Sequence, residues 1–477
     1  MSAVSSIAER MRVSHRSNSV WWVGLVVALV LGGFASQGSL LGGVALLGAG
    51  VALLGVMFPP VMLLSVMTAI FMDGLGTLSV SVLSVPLTLS KMVFLFALFL
   101  WVIRAVLWKQ PLVVWTPVSL PMVGVLASMV LSLLSWSSGY YALDGYRDVM
   151  SVLMLTVLLH YVVAVLDKDW LRSTQRVYAL LVGLLLVGSV ATGIGMERAA
   201  GSFGNPNNFA FVLLLTVPTS VGVVLGERRG LVRSALLLLF MGAFVLGIVQ
   251  SASRAGLLAF LVTAPFLLWL LYRDFSVLLV GAGIALVLAP FFMDVTYVMD
   301  RYRALWEVQP HTAQALGVSS IESRFLFLSL AFELFLENPI TGVGVGGFIA
   351  ESAQYFPLGG GRDAHNSYAQ VMAEQGLVGV ITHGILAVVF LTFLIRAIRE
   401  TTDPVQRVAL KGHVVGFLGY AVMSVSIGKL MIYAVGYLSV GLALASAKLS
   451  AEARAASSLE GGHATPAVGN QEGGGRG

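Results

Sequence analysis

The chain has 477 residues, of which 58% are hydrophobic and only 11% are charged, and its mean hydropathy is +0.91. A soluble domain carries roughly 25% charged residues, so this composition argues against a soluble enzyme, a nucleic-acid-binding protein and a disordered scaffold. The lack of cysteine excludes disulfides, thiolate metal sites and a cysteine nucleophile. The sequence therefore predicts an all-α, polytopic membrane protein that binds no nucleic acid.

Residues 1–19 carry three arginines and precede a long apolar segment without a small-residue cleavage site, so we interpret them as a cytoplasmic tail. A spanning helix needs about 20 mostly apolar residues. On this criterion we predict 12–14 spans, because three of the fourteen candidates are short or closely spaced. The candidates are residues 20–36, 39–57, 60–73, 86–108, 117–137, 146–166, 175–195, 207–226, 231–250, 254–272, 275–293, 376–396, 409–427 and 428–447.

The distribution of basic residues predicts the orientation of these spans. With the N-terminus inside, nineteen lysines and arginines are cytoplasmic and eight are on the outer side, as the positive-inside rule requires. The chain then divides into N-terminal spans (20–293), a large loop on the outer side (294–375), C-terminal spans (376–447) and a disordered cytoplasmic tail (448–477). The protein would lie in a membrane, surrounded by its lipids.

A first cluster of polar residues on the outer side begins at Arg198 and continues to Asn208. The turn around Asn205 precedes a span, and we expect Asn207 or Asn208 to cap that helix. A helix N-terminus and a neighbouring arginine together suit a phosphate group. A capped turn whose arginine reaches the lipid headgroups would have the same pattern.

Arg254 lies in a tight turn between two apolar spans on the same predicted face. A charge at such a junction is costly unless it is paired or hydrated, which makes the residue a functional candidate. The alternative is again a contact with lipid headgroups.

In the large loop, the sequence predicts an amphipathic helix over residues 321–337. Arg324 and two glutamates interrupt the apolar face of this helix. We expect this helix to lie at the membrane surface. The glycine-rich segment 342–347 follows without a preceding strand, so it indicates a close backbone approach rather than a nucleotide site.

His365 is the histidine of the outer side that lies at a predicted helix start, where Asp363 or Asn366 can cap the helix. A neutral imidazole in that position can act as a general base toward a hydroxyl, although a plain hydrogen-bonding role is also possible. Glu374 would face the opposite side of a continuous helix, so we expect it to anchor the helix rather than to pair with His365. No spacing typical of a metal site occurs.

Together these residues resemble the O-antigen ligase/polymerase superfamily of bacterial envelope glycosyltransferases. The resemblance covers roughly residues 190–395 and rests on four motifs in a fixed order. They are Gly201-Ser-Phe-Gly-Asn-Pro-Asn-Asn-Phe-Ala210, Ser253-Arg-Ala-Gly256, Arg324 at the head of a helix that ends in Glu337-Asn-Pro-Ile-Thr-Gly-Val-Gly344, and His365-Asn-Ser-Tyr368 followed by Glu374-Gln-Gly-Leu-Val-Gly379.

This resemblance implies a metal-independent, GT-C-like glycosyltransferase without a cofactor. It would transfer a glycan from undecaprenyl diphosphate to an acceptor hydroxyl at the periplasmic face, most specifically as an O-antigen ligase that uses lipid A–core as acceptor. Arg198 and Arg254 would bind the diphosphate, Arg324 would bind phosphate or hold the loop helix, and His365 would orient or deprotonate the acceptor. The supporting residues would be Asn205, Asn207, Asn366, Tyr368 and Glu374.

Other functions remain open from the sequence. A polysaccharide polymerase would use a second lipid-linked glycan as acceptor, and a protein O-oligosaccharyltransferase would use a protein. A lipid-linked glycan flippase is the alternative outside enzymes. The near absence of charged residues from the predicted spans favours an enzyme that works at one face. Arg147 and Lys429 lie on that face but match no motif.

Overall fold

A computed structural model gives the structure of most of the chain beyond residue 54. The described residues are 55–72, 79–82, 85–135, 139–192, 205–228, 230–270, 280–281, 283–284, 287, 320–355, 361–428 and 434–461. Their helices are α1 (Pro59–Met72), α2 (Leu89–Trp108), α3 (Ser119–Leu134), α4 (Gly139–Val165), α5 (Lys168–Thr192), α6 (Pro206–Leu225), α7 (Leu231–Gln250), α8 (Arg254–Leu270), α9 (Ser320–Glu337), α10 (Gly347–Ser352), α11 (Ser367–Glu400), α12 (Pro404–Met423) and α13 (Ala434–Gly461).

The hydropathy pattern predicts the spanning helices well. Within the described residues, eight helices are long and apolar enough to cross a membrane, and α1, α3 and α8 are shorter apolar helices. Each of these helices coincides with a predicted span, which confirms an all-α, polytopic membrane protein. The predicted tail 1–19 and spans 20–36, 39–57 and 275–293 lie wholly or mostly outside the described residues.

Two parts of the chain differ from the prediction. Strands β1 (Ser79–Val82) and β2 (Val85–Thr88) form a short antiparallel hairpin just before α2, because their valines favour extended backbone. At the other end of the chain, α13 continues to Gly461. The prediction of disorder from residue 448 is therefore wrong as far as residue 461, since this stretch is rich in alanine, the strongest helix former.

The described residues fall into two compact units. The first unit contains the described residues up to Leu63 together with Leu95–Leu112. Within it, Arg104 Nη1 donates a hydrogen bond of 2.8 Å to the carbonyl of Val56. The other contains Leu64–Phe94 and the residues from Val113 onward. All the features described below belong to this second unit.

Helix α6 lies at the centre of the second unit. Its residues from Phe209 to Val224 are all buried, as expected for a helix that is apolar on every side. The hydroxyls of Thr216, Thr219 and Ser220 donate to carbonyls one turn earlier, so these buried polar groups are satisfied within the helix.

Helices α6 and α12 pack closely in antiparallel directions. Gly222 of α6 lies against Gly412 of α12, whereas nearer the start of α6 Leu214 lies against Gly419. Small residues allow two helices to approach this closely within a membrane. The start of α6 is therefore beside the end of α12. His365 lies at this same end of the unit, because Ser367 donates a hydrogen bond to the carbonyl of Ile427 just beyond α12. We call this end of the unit the His365 end.

The opposite end of this unit carries several ion pairs. They join Arg172 and Arg176 to Glu227, and Arg396 and Arg454 to Glu400. The hydrogen bond from Arg176 holds the pKa of the Glu227 carboxyl below its usual value. All four arginines are among the residues that the sequence predicts on the cytoplasmic side.

Helix α11 is interrupted at Gly376, which has φ +61° and ψ −156°. The amides of Leu377 and Val378 cannot bond within the helix there, and they donate instead to the carbonyls of Pro339 and Ile340 at 2.8 and 3.2 Å. In return, the amides of the glycine-rich segment 343–344 donate to the carbonyls of residues 373–374 at 3.0 and 3.1 Å. The predicted close backbone approach of segment 342–347 is thus an approach to α11.

Candidate functional site

The N-termini of α6 and α8 are joined at the His365 end. Asn205 caps α6, since its Oδ1 accepts the amide of Asn207 at 2.8 Å. The sequence predicts Asn207 or Asn208 as the cap, but Pro206 starts the helix earlier because it suits the first helical position. Ser253 Oγ accepts the amide of Gly256 at 3.0 Å and donates to Asn207 Oδ1 at 2.7 Å. The hydrogen bond between Ser253 and Asn207 holds the two helix starts together.

Arg254 is the first residue of α8, and it is partly buried. It therefore lies beside two helix N-termini, whose unpaired amides and positive dipole ends favour an anion. The two helices can approach closely because Gly256 has no side chain; an added Cβ there would be 2.7 Å from the Cβ of Ala210. Arg198, the other predicted diphosphate ligand, lies outside the described residues.

His365 is held by its own turn. Its φ of +48° places it in the left-handed region, just before the Asn366 cap of α11. Asp363 Oδ1 accepts both the His365 amide at 3.0 Å and Nδ1 of the His365 ring at 2.8 Å. The ring also makes an edge contact with Phe327, with 5.9 Å between centroids. Because the carboxylate engages Nδ1, a neutral His365 presents the lone pair of Nε2, and 43% of its side chain is exposed.

The turn of His365 is fastened to the chain that follows α12. Gly428 lies so close to Asp363 that an added Cβ would be 2.8 Å from the Asp363 Cβ. Tyr368, in the first turn of α11, donates from its hydroxyl to the carbonyl of Ala421 at 2.8 Å. Together with the bond from Ser367 to Ile427, these contacts fix the position of the His365 backbone.

Arg324 of α9 contacts the chain segment that follows α12. Its Nη1 is 3.4 Å from Ser426 Oγ, in the 3₁₀ turn Ser424–Ser426. Burial lowers the pKa of its guanidinium from the usual value, but an arginine remains protonated at neutral pH. Phe327, which contacts His365, lies one turn further along the same face of α9. Arg324 and His365 therefore belong to one cluster.

The predicted helix of the loop is confirmed as α9 (Ser320–Glu337). Its buried face packs on a small core with residues of α10, the segment before α11 and α11 itself. The buried residues are Phe327, Leu330, Ala331, Leu334, Phe348, Ala364, Ala369 and Ala373. Large apolar side chains on its other faces, among them Phe325 and Phe332, are exposed, as expected of a helix at a membrane surface.

Glu374 has a separate role. Its side chain is buried, and Oε1 accepts a hydrogen bond of 3.1 Å from Gln370 Nε2. Its carbonyl accepts from Ser132 of α3 and from Gly344. These bonds tie α11 to α3 and to the glycine-rich segment.

The structure thus places the predicted residues in two clusters at one end of the unit. Arg324, His365, Asn366 and Tyr368 form the first, and Asn205, Asn207 and Arg254 form the second. Packing of Phe211 on Tyr420, with 5.2 Å between ring centroids, connects α6 to α12 between them. No group of three or more His, Asp or Glu that could hold a metal occurs in the described part of the chain.

Sequence reasoning missed three participants. Ser253 belongs to the motif Ser253-Arg-Ala-Gly256, but the motif does not predict its hydrogen bonds; Ser426 carries no recognisable signal, since serine is common in turns. Asp363 was considered only as a helix cap, yet an aspartate two residues before a histidine can bind both the amide and the ring when the histidine adopts positive φ.

Comparison with known proteins finds a family model that matches part of the chain. Residues 235–384 match a family model described as O-antigen ligase. The matched range contains Arg254, Arg324 and His365, and it extends from α7 to the part of α11 beyond Gly376. No curated protein matches the chain. The family match supports the resemblance to the O-antigen ligase/polymerase superfamily that is seen in the sequence, over the segment from residue 235 to residue 384.

Proposed function

We propose that the protein is a glycosyltransferase that moves a glycan from undecaprenyl diphosphate to an acceptor hydroxyl at the periplasmic face of the bacterial inner membrane. More specifically, we propose an O-antigen ligase, with lipid A–core as the acceptor. The observation that carries the proposal is the Asp363–His365 pair, which lies at the same end of the helices as Arg254 and the joined starts of α6 and α8.

In the proposed reaction, His365 Nε2 accepts the proton of the acceptor hydroxyl. The acceptor oxygen then forms a bond with the anomeric carbon of the donor sugar, while the bond between that carbon and the diphosphate oxygen breaks. Undecaprenyl diphosphate leaves with the bonding electron pair. The proton on His365 passes to solvent before the next cycle.

Arg254 and the two helix N-termini would stabilise the negative charge that develops on the leaving diphosphate. Charge stabilisation by pre-positioned donors is a large contribution to such reactions, and in this proposal it needs no metal ion. Arg198 would add a second cation from the segment before α6. Arg324 would hold α9 against the turn after α12, through its contact with Ser426.

Asp363 would keep the His365 ring in the tautomer and direction that the reaction needs. The carboxylate accepts a hydrogen bond from Nδ1, so the basic lone pair is on Nε2, the nitrogen that would face an acceptor. A carboxylate in this position also stabilises the imidazolium that forms when the proton is transferred.

The test is the variant His365→Asn. Asparagine tolerates the positive φ of this position better than other side chains apart from glycine, so the turn should fold. We expect purified protein in nanodiscs to bind undecaprenyl-diphosphate glycan as before but to lose transfer by about a hundredfold or more. Transfer at the original rate would remove His365 from the mechanism.

A further inference from the structure

A cavity of about 500 Å³ lies beside the site, between α3, α4, α11, α12 and α13, and α6 contributes one residue. This volume is in the range of small-molecule sites. At the end far from His365 the wall is apolar, with Val118, Met122 and Leu159. Nearer His365 it is polar, with Tyr368, Gln370 and Glu374 among the lining residues.

The cavity reaches the side of α11. Tyr368 lines it and is 54% exposed, and Val380, one of its lining residues further along α11, is 42% exposed. Gly384 also lines it, and an added Cβ there would meet open space. A membrane molecule could therefore enter between helices without leaving the bilayer.

The charged groups among the described lining residues of the cavity all have the same sign. Asp148 and Glu374 are acidic, and neither lysine nor arginine occurs among the described lining residues. This wall differs from the region around Arg254 and would repel a phosphate or diphosphate group. It suits a ligand that donates hydrogen bonds and carries no negative charge.

His383 supplies a second, independent observation. Its Nδ1 is 2.9 Å from the carbonyl of Gly379, so Nδ1 carries the proton and Nε2 is an acceptor. Nε2 is buried, and no described residue forms a hydrogen bond with it. Because buried acceptors are normally satisfied, this atom points to a ligand that carries a donor such as a hydroxyl.

We propose that the cavity binds an amphiphile with one apolar chain and an uncharged, hydroxyl-bearing head. The head lies between Glu374 and His383, and the chain extends toward Val118 and Leu159. This site is distinct from the region proposed for the diphosphate, and it does not depend on which transfer reaction the protein performs.

The experiment uses the full chain in detergent-free nanodiscs with two photoreactive probes of equal chain length, a decyl glucoside and a decyl phosphate. We expect the glucoside to label peptides of α3 and α11 saturably and the phosphate to label them much less. Equal or stronger labelling by the phosphate would overturn the proposal.

Two variants make the test specific. Gly384→Phe should fill the cavity and reduce glucoside labelling about tenfold, whereas Gly188→Phe is the matched control, since Gly188 also borders open space but lies on α5. Labelling that Gly384→Phe leaves unchanged would contradict the site. His383→Leu removes the Nε2 acceptor and should weaken binding of the glucoside about threefold, as loss of one hydrogen bond predicts; unchanged affinity would also count against the proposal.

Discussion

His365 combines an uncommon backbone torsion with a fixed ring. Its φ of +48° directs the amide and the ring toward the same oxygen of Asp363. Few side chains adopt such a torsion without strain, so the geometry depends on the contacts of the turn with Gly428 and Ile427. The orientation of the proposed base is thus built into the chain before any substrate arrives.

The variant Asp363→Asn tests this orientation. The amide keeps the size of the carboxylate but lacks its charge, so the imidazolium formed during transfer loses its partner. We expect kcat to fall at least about tenfold, with little change in KM for the donor, in a transfer assay with purified protein. Asp403→Asn, which alters a helix cap at the opposite end, is the control. An unchanged kcat would show that Asp363 has only a structural role.

In the proposed mechanism, Arg254 acts in donor binding rather than in proton transfer. Loss of a charge-assisted hydrogen bond costs about 1.5–3 kcal/mol, so Arg254→Ala should weaken binding of undecaprenyl diphosphate about tenfold or more. Equilibrium binding to protein in nanodiscs measures this. Arg147→Ala is the matched control, because Arg147 lies at the same end but pairs with Asp144 at 2.9 Å. Normal affinity of Arg254→Ala would contradict the proposed diphosphate contact.

At the scale of the helices, the break in α11 is compensated by the segment before α10. Two intrahelical bonds are lost at Gly376, and four main-chain bonds to residues 339–344 replace them. The amides of Leu377 and Val378 and the carbonyls of Ala373 and Glu374 therefore keep main-chain partners, which helps to explain why a helix can be interrupted inside the protein.

Gly376→Ala should therefore destabilise the protein. A side chain at φ +61° is strained, and its Cβ would be 2.5 Å from the carbonyl oxygen of Ile340. We expect a loss of about 2 kcal/mol or more, seen as a lower midpoint of thermal unfolding. Gly384→Ala in the same helix has open space around it and should be neutral or slightly stabilising. Equal midpoints for the two variants would show that the break does not constrain this position.

The spans could be predicted because each one is a local property of an apolar run, as the match of α3 to α8 with the predicted segments shows. The break at Gly376 could not be predicted, since its hydrogen-bond partners in residues 339–344 lie far away in the sequence. The pairing of Asp363 with His365 depends on a torsion that the residue type does not specify. Motif order located Arg254, Arg324 and His365 at one end, but only the structure separates them into two clusters.

At the scale of the whole molecule, function can be tested in cells. If the protein is the proposed ligase, a deletion strain should display lipid A–core without long chains and should accumulate lipid-linked polymer, as seen on a lipopolysaccharide gel. Core that carries a single repeat unit would contradict the ligase and indicate a polymerase. A normal gel would contradict both. Complementation with the gene for the His365→Asn variant is the control: it should not restore the long chains, because that variant lacks the proposed base.

The link between segment 339–344 and α11 has a consequence for how this protein can change over time. The link consists of main-chain amides and carbonyls, so most side chains around it can be replaced without breaking it. The glycines are the exception, because their torsions and close contacts allow no substitute. If the proposed transfer takes place, side chains of this segment could therefore change to suit another acceptor while the main-chain framework that supports α11 stays the same.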